Sequence, residues 1–101
     1  MSVRDLSPEA VQAALATPGV TLVDVREPPE FAAERIAGAL NFPLSRFDPA
    51  ALPPGRLILH CGVGKRSAMA MAQCDAAGRA DVAHLAGGLL AWKAEGLPTE
   101  R

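Results

Sequence analysis

The chain has little of several features that would assign it to a class at once. It has two cysteines in 101 residues, fewer than a small disulfide-held secreted scaffold normally has, so we expect both thiols to be free. No apolar run approaches the roughly 18 residues that span a bilayer, and the N-terminus lacks a signal-peptide pattern. Ten basic and eleven acidic residues give a formal net charge of −1, which favours neither a nucleic-acid nor a membrane partner. We therefore expect a cytoplasmic protein in which any anion binding is local.

Metal ligands are also scarce. Structural zinc takes four Cys or His ligands, and His60 and His84 do not stand at finger-like spacing. Cys74 lies on a predicted helix, about 12 Å along the axis from the start of that helix, which is beyond the ~7 Å Cα separation of a disulfide with Cys61. We expect no metal, no cofactor and no disulfide, with Cys74 packed against its own helix's neighbours.

Apolar residues make up 50% of the chain, enough for one core, and we expect a single domain over residues 1–101. Frequent Gly and Pro divide the chain into short segments. Residues 21–25 and 56–60 are apolar runs without the alternation of a half-exposed strand, so both are predicted to be buried parallel strands. Weaker strand patterns occur at residues 39–41 and 81–85.

Helix signals lie between these strands. Ser7, Pro8 and Glu9 are typical of a helix start, which predicts a helix over 8–15. Further helices are predicted over 30–35, 66–77 and 88–95, the last two ending at glycines. This βαβα order predicts an α/β fold, a small parallel sheet with helices on both faces, whose ligands bind beyond the carboxyl ends of the strands.

The segment over residues 60–67, HCGVGKRS, leaves a predicted buried strand and enters a helix. Two glycines allow the backbone N–H groups to converge as an anion-binding nest, and the helix adds the positive end of its dipole. We predict that this cradle is formed by Gly62, Val63, Gly64, Lys65 and Arg66. Such surroundings lower the pKa of a thiol, so Cys61 is predicted to be a nucleophile rather than an inert buried cysteine.

Other polar residues have weaker signals. Asp24 and Arg26 end the preceding strand and are candidates for support of the pocket, Asp24 as a structural acceptor and Arg26 as a cation that faces an anionic donor. Strand alternation points His60 away from Cys61, so we expect it to pack rather than to act as a base. His84 has no acidic or thiol neighbour nearby in sequence, and we expect a structural role for it as well.

Several motifs in this chain resemble those of the rhodanese family of thiosulfate sulfurtransferases, in the same order and almost from end to end. They are LVDVRE at residues 22–27, EF at 30–31, IAGALNFP at 36–43, the cysteine loop, GGLLAW at 87–92 and GLP at 96–98. The resemblance implies a rhodanese-like fold and a sulfurtransferase. A small anionic donor such as thiosulfate, or a related persulfide, would give sulfur to Cys61, and cyanide, a thiol or a protein acceptor would then collect it from the covalent persulfide.

Two other functions occur on the fold that the resemblance implies. Its phosphatases and arsenate reductases carry an arginine six positions after the cysteine, whereas Arg66 follows Cys61 by five and Ser67 occupies the sixth position. The shorter loop favours a sulfur atom over a tetrahedral phosphate. Some members lack the cysteine and serve as binding or regulatory modules, and the presence of Cys61 argues against that function.

Overall fold

The structure is a computed structural model that describes residues 4–101, so the first three residues of the predicted domain lie outside the described part. Its elements, in chain order, are β1 (Asp5–Leu6), α1 (Pro8–Leu15), β2 (Val20–Asp24), α2 (Pro28–Ala33), β3 (Leu40–Asn41), β4 (Arg56–His60), α3 (Lys65–Ala76), β5 (Val82–Leu85) and α4 (Gly88–Ala94). Short 3-10 turns at Leu44–Arg46 and Pro49–Ala51 join β3 to β4.

The five strands form one sheet in the order β1-β5-β4-β2-β3, and every neighbouring pair is parallel. The predicted α/β fold with a small parallel sheet is therefore confirmed. Because parallel strands end at the same edge, the segments that follow β2, β4 and β5 meet at one side of the molecule. The predicted cysteine loop lies at that edge, directly after β4.

The core is divided between the two faces of the sheet, as the absence of alternation in β2 and β4 predicts. One face packs against α3, and its buried residues are Val23, Val25, Leu52, Leu57, Leu59, Cys61, Ala70, Cys74 and Val82. The opposite face packs against α1 and α4, and its buried residues are Val11, Leu22, Ile36, Ile58, Leu85, Leu89 and Trp92. Cys61 thus projects to the α3 face, while the residue before it projects to the other.

Two elements differ from the predictions. The helix expected over 30–35 begins at Pro28 and ends at Ala33, because Pro28 and Pro29 occupy its first positions, where a backbone N–H has no intrahelical partner in any case. The strand β1 was not predicted, since two residues carry no readable periodicity. Its pairing with β5 places Asp5 beside His84.

The helix expected over 8–15 is confirmed: α1 has these bounds, and the Ser7 hydroxyl accepts a hydrogen bond from the Ala10 N–H at 3.1 Å. The helix expected over 66–77 begins and ends one residue earlier, at Lys65 and Ala76. The helix expected over 88–95 begins at Gly88 as predicted and ends one residue earlier, at Ala94. Within residues 4–101, no helix combines the length and the apolar character needed to cross a membrane.

Candidate active site

Cys61 is the first residue after β4, and it is 1% exposed. Its Sγ accepts hydrogen bonds from the backbone N–H of Gly64 at 3.1 Å and of Ser67 at 3.3 Å. Gly64 has φ +104°, a left-handed conformation that turns the chain into α3 and that residues with a Cβ rarely adopt. Of the two loop glycines, Gly62 has no positive φ, so only Gly64 is needed for the turn.

The N-terminus of α4 orients the other half of the loop. The Leu89 N–H donates to the Cys61 carbonyl at 2.8 Å, and the Leu90 N–H donates to the Gly62 carbonyl at 3.0 Å. In a trans peptide the C=O and the next N–H point in opposite directions, so the N–H groups of Gly62 and Val63 face away from α4. The carbonyls of Cys61 and Gly62 therefore face α4, while the Val63 N–H is directed to the thiol.

Close packing fixes this arrangement. A Cβ on Gly88, whose φ is +62°, would lie 2.6 Å from the Cys61 carbonyl oxygen and from the Gly62 carbonyl. These distances are too short for any side chain, so α4 can approach the loop only through a glycine. The predicted GG pair at 87–88 thus has a direct structural role at the cysteine loop.

The pKa of Cys61 is lowered from its ordinary value. Burial is the largest influence and by itself raises the pKa, because it disfavours the charged thiolate. Hydrogen bonds from the Ser67 N–H and hydroxyl and from the N–H groups of Gly64 and Val63 act in the opposite direction and together outweigh it. The loop therefore favours the thiolate, the form of cysteine that attacks other atoms.

The two basic residues of the loop have different surroundings. Arg66 forms a bidentate ion pair with Glu30 of α2, at 2.7 and 3.0 Å, and its guanidinium lowers the pKa of Glu30 to about 2. Within residues 4–101, Lys65 has no ion-pair partner. Lys65 is therefore the basic side chain of the loop whose charge is not already matched by a carboxylate.

Asp24 and Arg26 form a buried cluster next to the loop. Arg26 is 5% exposed, and its guanidinium donates to both carboxylate oxygens of Asp24 at 2.8–3.1 Å and to the Glu34 carbonyl at 2.6 Å. Its Nε and Nη2 are thus paired with Asp24 and the Glu34 carbonyl, which gives Arg26 a structural role beside Asp24. That Arg26 also faces an anionic donor in the pocket stays a prediction.

His60 completes this cluster on the face opposite Cys61. Its Nδ1 lies 3.2 Å from the Cys61 carbonyl oxygen, and its Nε2 lies 3.4 Å from Asp24 Oδ2 without hydrogen-bond geometry. Burial lowers the pKa of His60, while the Asp24 charge and the hydrogen bond to the Cys61 carbonyl act in the opposite direction. The structure agrees with the expectation that His60 packs and does not face the thiol.

Sequence reasoning missed three residues on the thiol's side of the sheet. Ser67, which the predicted cradle over 62–66 stops short of, hydrogen-bonds Cys61 Sγ through its N–H. His84 was expected to have a structural role, since no acidic or thiol residue lies near it in sequence, yet its Nδ1 lies 2.9 Å from Ser67 Oγ and its Nε2 lies 2.9 Å from Asp5 Oδ1. The first-turn position of Ser67 could have indicated its N–H, since the first N–H groups of a helix lack intrahelical partners. No local signal could have indicated Asp5 and His84.

Both cysteines are free thiols, and Cys74 is buried in the α3 face of the core, as predicted. In the part of the chain that is described, no three side chains of His, Cys, Asp or Glu gather in a way that could hold a metal ion.

Comparison with known proteins identifies the family of the chain. The model of the rhodanese-like domain family matches residues 7–95. A sulfurtransferase from Allochromatium vinosum is 35% identical over 100 residues, which cover 95% of this chain and 94% of that protein. The uncharacterized protein slr1261 of Synechocystis is 44% identical over 97 residues, and the match covers 93% of this chain.

A crystal structure of a thiosulfate sulfurtransferase from Pseudomonas aeruginosa superimposes with a TM-score of 0.85 at 30% identity, over 98% of this chain. The chain spans about half the length of the Synechocystis relative (54%) and 19% of the Pseudomonas chain, so those proteins have parts that it does not match. The match over residues 7–95, the parallel sheet and the buried thiol in its loop lead to one conclusion: the chain belongs to the rhodanese-like domain family.

Proposed function

We propose that this protein is a sulfurtransferase that moves a sulfane sulfur from thiosulfate, or from a related persulfide donor, to cyanide or a thiol through a persulfide on Cys61. One observation carries the proposal: Cys61 Sγ is buried and accepts hydrogen bonds from Gly64 N and Ser67 N at 3.1 and 3.3 Å. This arrangement favours a thiolate and would favour a persulfide anion in the same place.

The reaction has two displacement steps at sulfur. In the first, the Cys61 thiolate attacks the sulfane sulfur of thiosulfate, a new S–S bond forms, and the electron pair of the broken S–S bond leaves with sulfite. In the second, the acceptor attacks the outer sulfur, and the electron pair of the protein S–S bond returns to Cys61 as thiolate. No redox cofactor is required, and covalent catalysis of this kind divides one transfer into two easier ones.

The proposed roles of the remaining loop residues follow from the charges of their side chains and from the directions of their N–H groups. The N–H groups of residues 62–66, which were predicted as the cradle, would stabilise the negative charge of the outer sulfur as it develops. Lys65, which has no ion-pair partner within residues 4–101, would attract the anionic donor. Arg66 would act mainly through its ion pair with Glu30, which ties the loop to α2.

Loop length favours sulfur transfer over phosphate hydrolysis. Arg66 follows Cys61 by five positions, and both of its terminal nitrogens are directed to Glu30. A phosphatase with this loop needs an arginine whose guanidinium hydrogen-bonds the phosphoryl oxygens. In this chain the Arg66 guanidinium is already paired with the Glu30 carboxylate.

The acceptor and the compartment are also part of the proposal. Two exposed apolar residues belong to or adjoin the cysteine loop: Val63 lies in it, and Leu90 donates its backbone N–H to the Gly62 carbonyl. An exposed apolar surface there would suit a protein acceptor. The two free thiols favour a reducing compartment such as the cytoplasm.

The proposal is tested by incubating the purified protein with thiosulfate and analysing its tryptic peptides by mass spectrometry. Trypsin separates the two thiols, because residues 57–65 contain Cys61 and residues 67–79 contain Cys74. We expect one added sulfur atom on peptide 57–65, lost again on addition of cyanide with formation of thiocyanate. Cys61→Ser should abolish both the adduct and the transfer.

Cys74→Ser is the matched control, since it removes the other thiol and should leave sulfur transfer in place. The proposal is wrong if peptide 57–65 gains no sulfur from thiosulfate or from a persulfide donor such as glutathione persulfide. Hydrolysis of an aryl phosphate by the wild type, lost in Cys61→Ser, would assign the thiol to phosphate chemistry instead.

A further inference from the structure

A line of hydrogen-bonding groups leads from the candidate nucleophile to the edge of the sheet. Cys61 Sγ lies 3.7 Å from Ser67 Oγ, Ser67 Oγ lies 2.9 Å from His84 Nδ1, and His84 Nε2 lies 2.9 Å from Asp5 Oδ1. Ser67 is fully buried, the His84 side chain is 10% exposed, and the Asp5 side chain is 40% exposed. The line therefore connects a buried thiol to a carboxylate in contact with water.

The sheet register explains why these groups meet. Alternation along β5 places His84 on the same face as Val82, which packs with Cys61 in the α3-side core. The parallel register of β1 and β5 pairs Asp5 with His84. The first turn of α3 then brings the Ser67 hydroxyl between the imidazole and the thiol. Each of the four groups comes from a different segment of the fold.

The chemistry of the groups gives the line a direction. The Asp5 carboxylate can only accept, so His84 donates its Nε2–H to it, which leaves Nδ1 of the neutral imidazole as an acceptor. Ser67 Oγ–H donates to that nitrogen, and the lone pairs of Oγ remain available to accept the Cys61 S–H. Ser67 Oγ also lies 3.3 Å from the Gly64 carbonyl, a second and longer acceptor for the same proton.

We propose that Ser67, His84 and Asp5 form a relay that takes the proton of the Cys61 thiol and holds it on His84 while the thiolate reacts. The inference rests on the proposed use of Cys61 as the nucleophile. The S–H proton passes to Ser67 Oγ as the hydroxyl proton of Ser67 passes to His84 Nδ1. The product is a thiolate and an imidazolium, and no other reactant is consumed.

The imidazolium then reverses the hydrogen bond at Ser67. His84 Nδ1–H donates to Ser67 Oγ, and the hydroxyl proton is free to turn toward the Cys61 thiolate. Asp5 stabilises the positive charge on His84 at 2.9 Å. Two charged residues precede or begin β1 near His84. Arg4 pairs with Asp75 at 2.7 Å, whereas the Asp5 carboxylate faces the imidazole. His84 and Asp5 act through Ser67 and are positioning residues.

The relay is tested by the pH dependence of Cys61 alkylation with iodoacetamide, read from the modified tryptic peptide 57–65 between about pH 5 and pH 9. Ser67→Ala and His84→Asn should each move the midpoint of the alkylation profile upward by about one pH unit, which is about tenfold slower alkylation below the midpoint. Asp5→Asn should move it in the same direction by less. At high pH all the rates should converge on that of the wild type.

The double variant Ser67→Ala/His84→Asn should behave like Ser67→Ala alone, because His84 has no other route to the thiol. His60→Asn is the matched control: it replaces a buried histidine one residue from Cys61 and should leave the profile in place. A His84→Asn profile that superimposes on the wild type overturns the relay, as do fully additive effects in the double variant. If His84→Asn fails to fold, Asp5→Asn takes its place in the test, because the Asp5 carboxylate is partly exposed. An Asp5→Asn profile that superimposes on the wild type then overturns the relay.

Failure of the relay and failure of the proposed function give different results. Alkylation requires no sulfur donor, so an unchanged profile in His84→Asn rejects the relay even when peptide 57–65 gains sulfur from thiosulfate. A protein that gains no sulfur but shows the shifted profiles retains the relay and rejects the sulfurtransferase.

Discussion

Two histidines lie near the carboxyl edge of the sheet, and their surroundings differ. His84 of β5 has a partner at each ring nitrogen and is connected through Ser67 to the thiol. His60, the last residue of β4, is fully buried on the other face, and its Nε2 makes no hydrogen bond. His84 thus belongs to the proposed proton relay on the face of the thiol, and His60 belongs to the buried cluster of Asp24 and Arg26 on the other face.

The charged residues around the two histidines also differ in burial. Asp24 and Arg26 are both buried and paired, so their charges stabilise the strand ends only while both are present. His84 is buried as well, but its hydrogen bonds join Ser67, which contacts Cys61, to the partly exposed Asp5. We therefore expect substitutions in the Asp24 cluster to change stability, and substitutions near His84 to change the reactivity of Cys61.

The largest effect should come from removing one partner of the buried pair. Asp24→Ala leaves the Arg26 guanidinium, 5% exposed, without a carboxylate, and should lower the free energy of unfolding by about 3–5 kcal/mol. Urea denaturation measures the loss. The alkylation profile of Cys61 in the folded fraction should stay close to that of the wild type.

Asp75→Ala is the matched control, because it breaks an ion pair at the surface, where Arg4 and Asp75 approach to 2.7 Å and the Asp75 side chain is 45% exposed. Its cost should be below about 1 kcal/mol. Equal losses in the two variants would remove the distinction between the buried cluster and the rest of the charged groups.

The next effect tests how α4 holds the loop. Gly88→Ala places a Cβ 2.6 Å from the Cys61 and Gly62 carbonyls, and should reduce sulfur transfer at least tenfold with a stability loss of about 1–3 kcal/mol. Transfer rates measure the loss of activity, and urea midpoints measure the loss of stability. Gly96→Ala, at φ +75° with nothing within 4 Å, is the control for backbone strain alone. A loss of transfer in Gly96→Ala as large as in Gly88→Ala would mean that contact with the loop is not the cause.

The smallest effect concerns pH and His60. Because burial lowers the pKa of His60, the unfolded chain binds its proton first as pH falls below about 6.5, and stability declines by up to about 1.4 kcal/mol per pH unit. His60→Asn cannot titrate and should lack this part of the decline. Urea midpoints of both proteins between about pH 8 and pH 5 give the difference. Parallel curves would show that His60 is not held neutral by its burial.

Much of the fold was predictable because its signals are local. Residues 56–60 form a strand with the predicted bounds, and the Ser7 cap begins α1 where expected. The start of α2 was expected at residue 30, whereas Pro28 and Pro29 begin it, because proline disfavours the middle of a helix but is accepted in its first turn. The strand β1 could not be predicted, because two residues become a strand only through their pairing with β5.

For the candidate site, the sequence by itself determined the loop around Cys61, since glycine spacing, a buried strand and a following helix are all properties of adjacent residues. Only the tertiary structure decided which partner each charge has. Glu30 reaches Arg66 across 36 positions, and Asp5 reaches His84 across 79. Such pairs depend on strand order and register, which are set by burial of the whole core and leave no trace in local spacing.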